Sequence, residues 1–246
     1  MTVAPRLGGR LAQLTVAARD LLVEPPGDPA TAEPMLWGSF PTAPWTGRVR
    51  RGRFEFEGTT HQLEIPIAPH AIHGTTYRVP WQVEALDRHS VSMSCDLGWE
   101  FGGCARQLIS IDDDAMHGEL SVRAGERAMP AELGWHPWFA KPDSLSFTPE
   151  AMYVRDDEGL PTGELITPTE GPWDDCFINT DPVVLRYADV VVTVVSDCDH
   201  WVIFDEPLHA TCVEPLSGPP DAFTLRPRVL EPGETLQRWW RVSWSW

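Results

Sequence analysis

The sequence predicts an all-β fold of short antiparallel strands with few or no long helices, and three observations carry that expectation. The 246 residues hold 24 prolines and 19 glycines spread along the chain, so the segments left between helix breakers are strand-sized. Several of these segments alternate apolar and polar residues with period two, the spacing that sends successive side chains to opposite faces of a strand. Val190 to Val195 is almost wholly β-branched, which predicts a strand covered on both faces. A chain of this length suits one large sandwich or barrel, which would bury roughly 70–75% of its unfolded surface without a metal or a disulfide. The expectation is therefore one domain over residues 1–246.

Gly8-Gly9 reads as a turn entering a strand from Arg10 to Val16, with a second strand ending at Asp20-Leu21-Leu22-Val23. Only seven residues precede that turn, so most of any strand before it should be missing. Leu21 to Met35, rich in Pro, Glu and Asp, reads as a loop. Arg53-Phe54-Glu55-Phe56-Glu57 alternates, Gly58 turns, and Gln62-Leu63-Glu64-Ile65 resumes the pattern up to Pro66, which predicts a hairpin. Glu119 to Arg123 alternates in the same way before Gly125. Ser217 to Asp221, with its Gly-Pro-Pro, is a loop. In the last strand Trp240, Val242, Trp244 and Trp246 share one face, enough aromatic area to place that strand inside a sheet as core.

Charge and cysteine usage narrow the function. Lys plus Arg number 19 against 36 Asp plus Glu, a formal net charge of -17. Such a field repels nucleic acid and anionic membranes and favours a neutral small molecule as ligand. The five cysteines are an odd number with no C-x-x-C pair, which points to reduced thiols in a cytoplasm and away from a zinc site. No apolar stretch approaches a membrane span, and the first residues lack the apolar core of a secretion signal. The expected protein is cytoplasmic, with no metal. No glycine-rich dinucleotide fingerprint is present, consistent with chemistry that needs no redox cofactor.

Four places hold candidate chemistry. Gly134-Trp135-His136-Pro137-Trp138-Phe139 locks a titratable ring among a glycine, a proline and three aromatics. Pro137 biases His136 towards extended backbone, and the group is either a cleft acid beside flat faces that suit a sugar ring or a hydrogen-bonded core histidine. One of Trp135 and Trp138 would line such a cleft while the other packs beneath. In His70-Ala71-Ile72-His73-Gly74, followed by Arg78, the histidines face either a cleft or the solvent. Trp173-Asp174-Asp175-Cys176-Phe177 sets two carboxylates beside aromatic rings, either to accept hydrogen bonds from sugar hydroxyls or as solvated turn residues. Glu214, at the end of a β-prone run closed by Pro215, is either a salt-bridged strand end or a desolvated base with a raised pKa. A histidine and a carboxylate facing one another across a sugar would supply an acid and a base, enough to open and reclose its ring.

Taken in order, Gly47-Arg48-Val49 with Gly52 and Phe54, His73-Gly74, Gly134 to Phe139, Asp174 with Phe177, Glu214-Pro215 and Glu231-Pro232-Gly233-Glu234 resemble the aldose 1-epimerase (galactose mutarotase-like) family from about Gly8 onward. The resemblance implies a twisted antiparallel β-supersandwich with a sugar cleft across one sheet, and a reaction interconverting α and β anomers of an aldohexose. It implies Glu214 as general base, His136 as general acid and His73 as the histidine that polarises the ring oxygen. Asp174 and Arg48 would hold the sugar, with Asp175, Arg78 and Trp138 as further binding candidates.

Departures from the family pattern are Asp175 where many relatives have histidine, Gly47 where asparagine is common, and an N-terminus shorter by about a strand. Relatives acting on hexose-6-phosphates make Arg48, Arg50, Arg51 and Arg78 a candidate phosphate cluster. A non-catalytic sugar-binding or sensing module on the same sandwich is the remaining alternative. Expected partners are thus a small sugar or sugar phosphate and, at most, a second copy of the chain.

Overall fold

The alternating C-terminal segment becomes an eleven-residue strand, Thr235–Ser245, inside an eight-stranded antiparallel sheet of the computed structural model, which describes residues 1–246. The order across this back sheet is Gln82–Leu86, Ser90–Asp96, Cys104–Ile111, Ala115–Arg123, Thr235–Ser245, Val191–Ser196, Val183–Arg186 and Ser144–Ser146. A second, nine-stranded antiparallel sheet runs Thr2–Ala4, Arg10–Gln13, Ser39–Thr42, Gly134–Ala140, Ala210–Leu216, His200–Phe204, Asp174–Ile178, Ala151–Arg155 and Pro161–Ile166. The ladders of both sheets are antiparallel. The only α-helix is the single turn Ala222–Leu225, and no helix is long and apolar enough to cross a membrane.

A core of 44 buried residues draws on both sheets. At its middle Trp135 and Trp240 stack with ring centroids 5.6 Å apart. The Trp135 indole N–H donates to the Gln107 side-chain oxygen at 3.0 Å, and the Gln107 amide donates in turn to the Gly9 carbonyl at 2.7 Å. A buried indole needs such a partner, and this relay joins the two sheets through side chains. Because neighbouring residues point to opposite faces, a strand that drives Trp135 and Phe139 into the core turns His136 and Trp138 outward.

Some expectations need correction. The hairpin turns at Glu57-Gly58, with φ of 49° and 73°, so the strands Arg53–Phe56 and Thr59–Gln62 close earlier than the apolar pattern suggested. Two residues of positive φ match the twist of a tight hairpin, and the turn outranked the alternation. In Val191–Ser196 only Val192 and Val194 are fully buried, while Val191, Thr193 and Val195 are half-buried. An antiparallel sheet can leave one face towards water. Trp240 and Val242 are core, but Trp246 is 75% exposed.

At the N-terminus Thr2–Ala4 does form an edge strand on Arg10–Gln13. The strand read from Arg10 to Val16 divides, and Thr15–Val16 pairs with Arg19–Asp20 in a separate hairpin across the positive-φ residues Ala17 and Ala18.

Truncating the inter-sheet stack should cost what a buried large-to-small change costs. We expect Trp240→Ala to lower the unfolding free energy by about 3–5 kcal/mol and Trp246→Ala to change it by no more than about 0.5 kcal/mol. Urea unfolding curves of the two variants check the contrast; equal losses would mean that the aromatic face of this strand is buried to its end.

Candidate active site

The strand Gly134–Ala140 pairs with Ala210–Leu216 so that Gly134 lies opposite Leu216 and Trp138 opposite Cys212. His136 sits midway between those pairs, level with Glu214. A Cβ on Gly134 would stand 2.5 Å from the Pro215 carbonyl oxygen, so glycine lets the two strands meet at this level. On the other side His136 is in register with Phe40 of Ser39–Thr42.

His136 Nε2 lies 3.3 Å from Glu214 Oε1, with both side chains buried. The imidazole is stacked between Phe40, with centroids 4.8 Å apart, and Trp138, at 5.5 Å. The His73 ring meets it edge-on at 4.7 Å. His73 occupies a left-handed conformation, φ 59°, and its N–H donates to the Gly47 carbonyl at 2.8 Å. Gly74 follows at φ 75°, where a Cβ would come within 2.0 Å of the Ala43 carbonyl oxygen. That pair of left-handed residues aims His73 at the cleft floor. The Nδ1 atoms of both histidines are buried without a hydrogen-bond partner.

Burial governs the proton affinities of this cluster. Desolvation pushes the Glu214 carboxyl well up, the nearby Asp174 charge adding to the effect and Arg48 opposing it. The same burial pulls His136 down to about 3. His73 is also held well below the ordinary imidazole range, first by burial and then by its neighbours His136 and Arg48. Burial thus favours a neutral imidazole opposite a carboxyl that holds its proton more tightly than an exposed one. Transfer of that one proton across the 3.3 Å contact would convert the pair into carboxylate and imidazolium, the base and the acid.

The cleft above them has a volume of about 340 Å³ and is lined by His73, His136, Glu214, Arg48, Asp174, Asp175 and Trp138 among others. Seven of the eight candidate residues from the sequence thus meet in one place. Trp138 is the ring that lines the cleft, its indole N–H donating to the Met35 carbonyl at 2.7 Å, while Trp135 packs beneath.

Arg78, the eighth, is not brought in: its guanidinium lies 3.3 Å from Glu64 and over the Tyr77 ring. His70 is buried rather than exposed, its Nδ1 accepting the Arg51 backbone N–H at 3.1 Å. Trp173 packs against Phe147 and Phe177 instead of the cleft.

Arg155 is the cleft residue that sequence reasoning missed. Its Nε lies 2.8 Å from Asp175 Oδ1, and its Nη1 donates to the Asp174 carbonyl at 2.6 Å and lies 3.4 Å from Asp174 Oδ2. Arg48 Nη1 stands 3.9 Å from the same Asp174 oxygen. Desolvation raises the Asp174 pKa, against the pull of Arg48 and Arg155. Both aspartates therefore belong to the cleft, held by one arginine. No motif surrounds Arg155; it ends the strand Ala151–Arg155, and only pairing in the sheet puts it beside Asp174–Ile178. Among metal-ligating groups, His136, Cys212 and Glu214 offer nitrogen, sulfur and oxygen within 4.8 Å of one another.

A protein-family model described as aldose 1-epimerase matches residues 1–214. No curated protein matches at a significant level. Among solved structures, a galactose mutarotase-like protein from Clostridium acetobutylicum superposes with a TM-score of 0.88 at 18% identity, covering 99% of this chain and 91% of that one. An aldose epimerase homologue from C. elegans gives 0.83 at 15% identity, covering 98% and 94%. A galactose 1-epimerase from Lactobacillus acidophilus NCFM gives 0.81 at 15% identity, covering 98% and 89%. At such identities these likenesses establish the fold.

The raised Glu214 carboxyl has a thermodynamic signature. A native pKa above the unfolded value near 4.5 means that the folded state holds its proton to higher pH. The contribution to stability is complete below the unfolded value and is lost as pH climbs through the native one. His136 acts in the opposite sense, its contribution being present above 6.5 and lost as pH falls towards about 3. Glu214→Gln, which cannot ionise, should therefore gain on the wild type in melting temperature over the range from about pH 5 up to the raised native pKa of Glu214. Calorimetric scans across that range measure the difference, and a flat one would contradict a carboxyl kept protonated by burial.

Proposed function

The chain belongs to the aldose 1-epimerase family, and from that premise we propose that it is a cofactor-independent mutarotase interconverting the α and β anomers of an aldohexose. The observation that carries the reading is the buried His136–Glu214 contact at 3.3 Å in a cleft also lined by Arg48, Asp174 and Asp175.

The anomeric hydroxyl and the ring oxygen share one carbon, so the acid and the base that serve them must stand close together. Glu214 as carboxylate takes the proton from the C1 hydroxyl while His136 delivers its proton to the ring oxygen. The C1–O5 bond breaks, leaving an open-chain aldehyde; rotation about C1–C2 presents the other carbonyl face, and the proton movements reverse to close the ring. His73, neutral and edge-on to His136, polarises the ring oxygen from the side. Arg48, Asp174 and Asp175 hold the sugar hydroxyls, with Arg155 fixing the two aspartates. Trp138 supplies an apolar wall. The scheme leaves enzyme protonation unchanged over a turnover and calls for no group beyond these side chains.

A neutral aldose fits better than a hexose phosphate. Arg50 pairs with Asp156 at 2.5 Å and with Glu158 at 3.0 Å, Arg51 with Glu158, and Arg78 with Glu64. All four arginines that would have formed a phosphate cluster therefore face carboxylates, Arg48 through Asp174, and Glu33 and Asp175 also line the cleft. The five unpaired cysteines accord with work in a reducing compartment, and the single-domain reading of residues 1–246 is retained as part of the proposal.

Polarimetry tests the function. The wild type should speed relaxation of freshly dissolved α-glucose or α-galactose, and Glu214→Gln or His136→Asn should each slow turnover by about 10²–10⁴-fold. Sugar bound with no acceleration would instead indicate a binding module, and inactivity on every common aldose and its 6-phosphate would sink the proposal. Arg48→Ala should weaken free and phosphorylated sugars alike; a selective loss for phosphates would favour the phosphate reading.

A further inference from the structure

Mutarotation as written has no use for a thiol, yet a cysteine stands beside the acid–base pair. Cys212 and Glu214 are two apart on the strand Ala210–Leu216 and so share a face, and Cys212 lies opposite Trp138 across the strand pair. The thiol is fully buried, next to Phe40 and Trp138 in the small apolar cluster that backs the cleft. Its sulfur, one imidazole nitrogen of His136 and one carboxylate oxygen of Glu214 lie within 4.8 Å of one another.

We propose that Cys212, His136 and Glu214 form a three-ligand site for a thiophilic divalent cation of the zinc type, and that an ion seated there blocks the sugar. The inference rests on the mutarotase reading for its inhibitory consequence but not for the binding itself.

The donor set and its spacing both fit. Thiolate, imidazole and carboxylate are the three protein ligands of zinc, which binds nitrogen and oxygen at about 2.0–2.2 Å and sulfur at about 2.3 Å in tetrahedral sites. Around such an ion, adjacent ligand atoms stand a little over 3 Å apart. The His136 Nε2 to Glu214 Oε1 separation of 3.3 Å is already that edge. Cys212, within 4.8 Å of both, would complete a triangle from behind by a side-chain shift, and the other two members, His136 and Glu214, line the cleft. Soft sulfur selects zinc-like ions over magnesium or calcium. On binding, the thiol proton and the proton shared by the His136–Glu214 pair leave to solvent. The ion then holds the two groups that would otherwise meet O1 and O5 of the sugar, so it competes with substrate.

Cobalt(II) is the probe, since a tetrahedral site with a thiolate ligand gives visible d–d bands and a near-ultraviolet sulfur-to-metal charge-transfer band. Full-length protein carrying Cys104→Ser, which removes the exposed thiol, should show both at one equivalent of cobalt. Added Cys212→Ala should abolish the charge-transfer band and weaken zinc binding, measured by calorimetric titration, by about tenfold or more. Zinc should inhibit mutarotation competitively with sugar, and Cys212→Ala should raise the inhibiting concentration by a similar factor.

A charge-transfer band that survives Cys212→Ala, or none in the parent, overturns the inference, as does zinc inhibition equal in the two proteins. If Cys212→Ala unfolds, Glu214→Gln serves as the second ligand deletion, with the same weakening expected and its absence counting against the site. The band present in a protein without mutarotase activity would keep the metal site and remove the functional reading; activity without the band would do the reverse.

Discussion

The contact between a buried imidazole and a buried carboxyl is the constraint on which the rest of the site depends. Taking either group out of water in charged form costs on the order of several kcal/mol, and His136 and Glu214 are each almost fully buried. What keeps them there is the pairing of Gly134–Ala140 with Ala210–Leu216 in the middle of a nine-stranded sheet. A sheet so extensively packed can hold a pair that, by itself, opposes folding. The neutral form of the pair lowers that cost, and the proton it shares is the one the proposed chemistry needs.

The strand Gly134–Ala140 also ties core to cleft. Trp135 and Phe139 are core residues on its inner face, while His136 and Trp138 belong to the outer one. Slippage by a single residue would exchange the two sets, so the Trp135–Trp240 stack and the Trp135–Gln107–Gly9 hydrogen bonds fix the orientation of the imidazole as well as the spacing of the sheets. Phe40 and Trp138 then stack on the imidazole, leaving it little freedom other than to meet Glu214.

Charge in the cleft is organised around two arginines. Arg155 clamps Asp174 and Asp175, and Arg48 approaches Asp174 from another segment. Placing aspartate at position 175 is therefore accompanied by a cation that orients it, which makes both carboxylates acceptors of fixed direction. Arg50, tied to Asp156, Glu158 and Asp221, anchors the segment around Gly159 that lines the rim. These ion pairs are partly exposed and contribute little stability each; their effect is geometric, giving the cleft carboxylates a fixed layout. Cys212 lies behind the cleft floor in the apolar cluster with Phe40 and Trp138, within 4.8 Å of His136 and Glu214.

Local pattern by itself determined the all-β class and the identity of the rigid histidine segment, because alternation, glycine and proline act over a few residues. The ordered set of motifs identified His136, Glu214, His73, Asp174 and Arg48 together, since each carries a recognisable neighbour such as Pro137, Pro215 or Gly74. Only tertiary structure decided which candidates meet. Arg78 sits among equally suggestive residues but turns to Glu64, while Arg155, with no motif around it, enters because strand pairing sets it against the aspartates. Which face of Val191–Ser196 is covered, and how far the C-terminal tryptophans stay buried, likewise depended on where the opposing sheet ends. Alternation declares that a strand has two faces; only the packing of the second sheet, many residues away in the chain, assigns one to the core and the other to water or to a ligand.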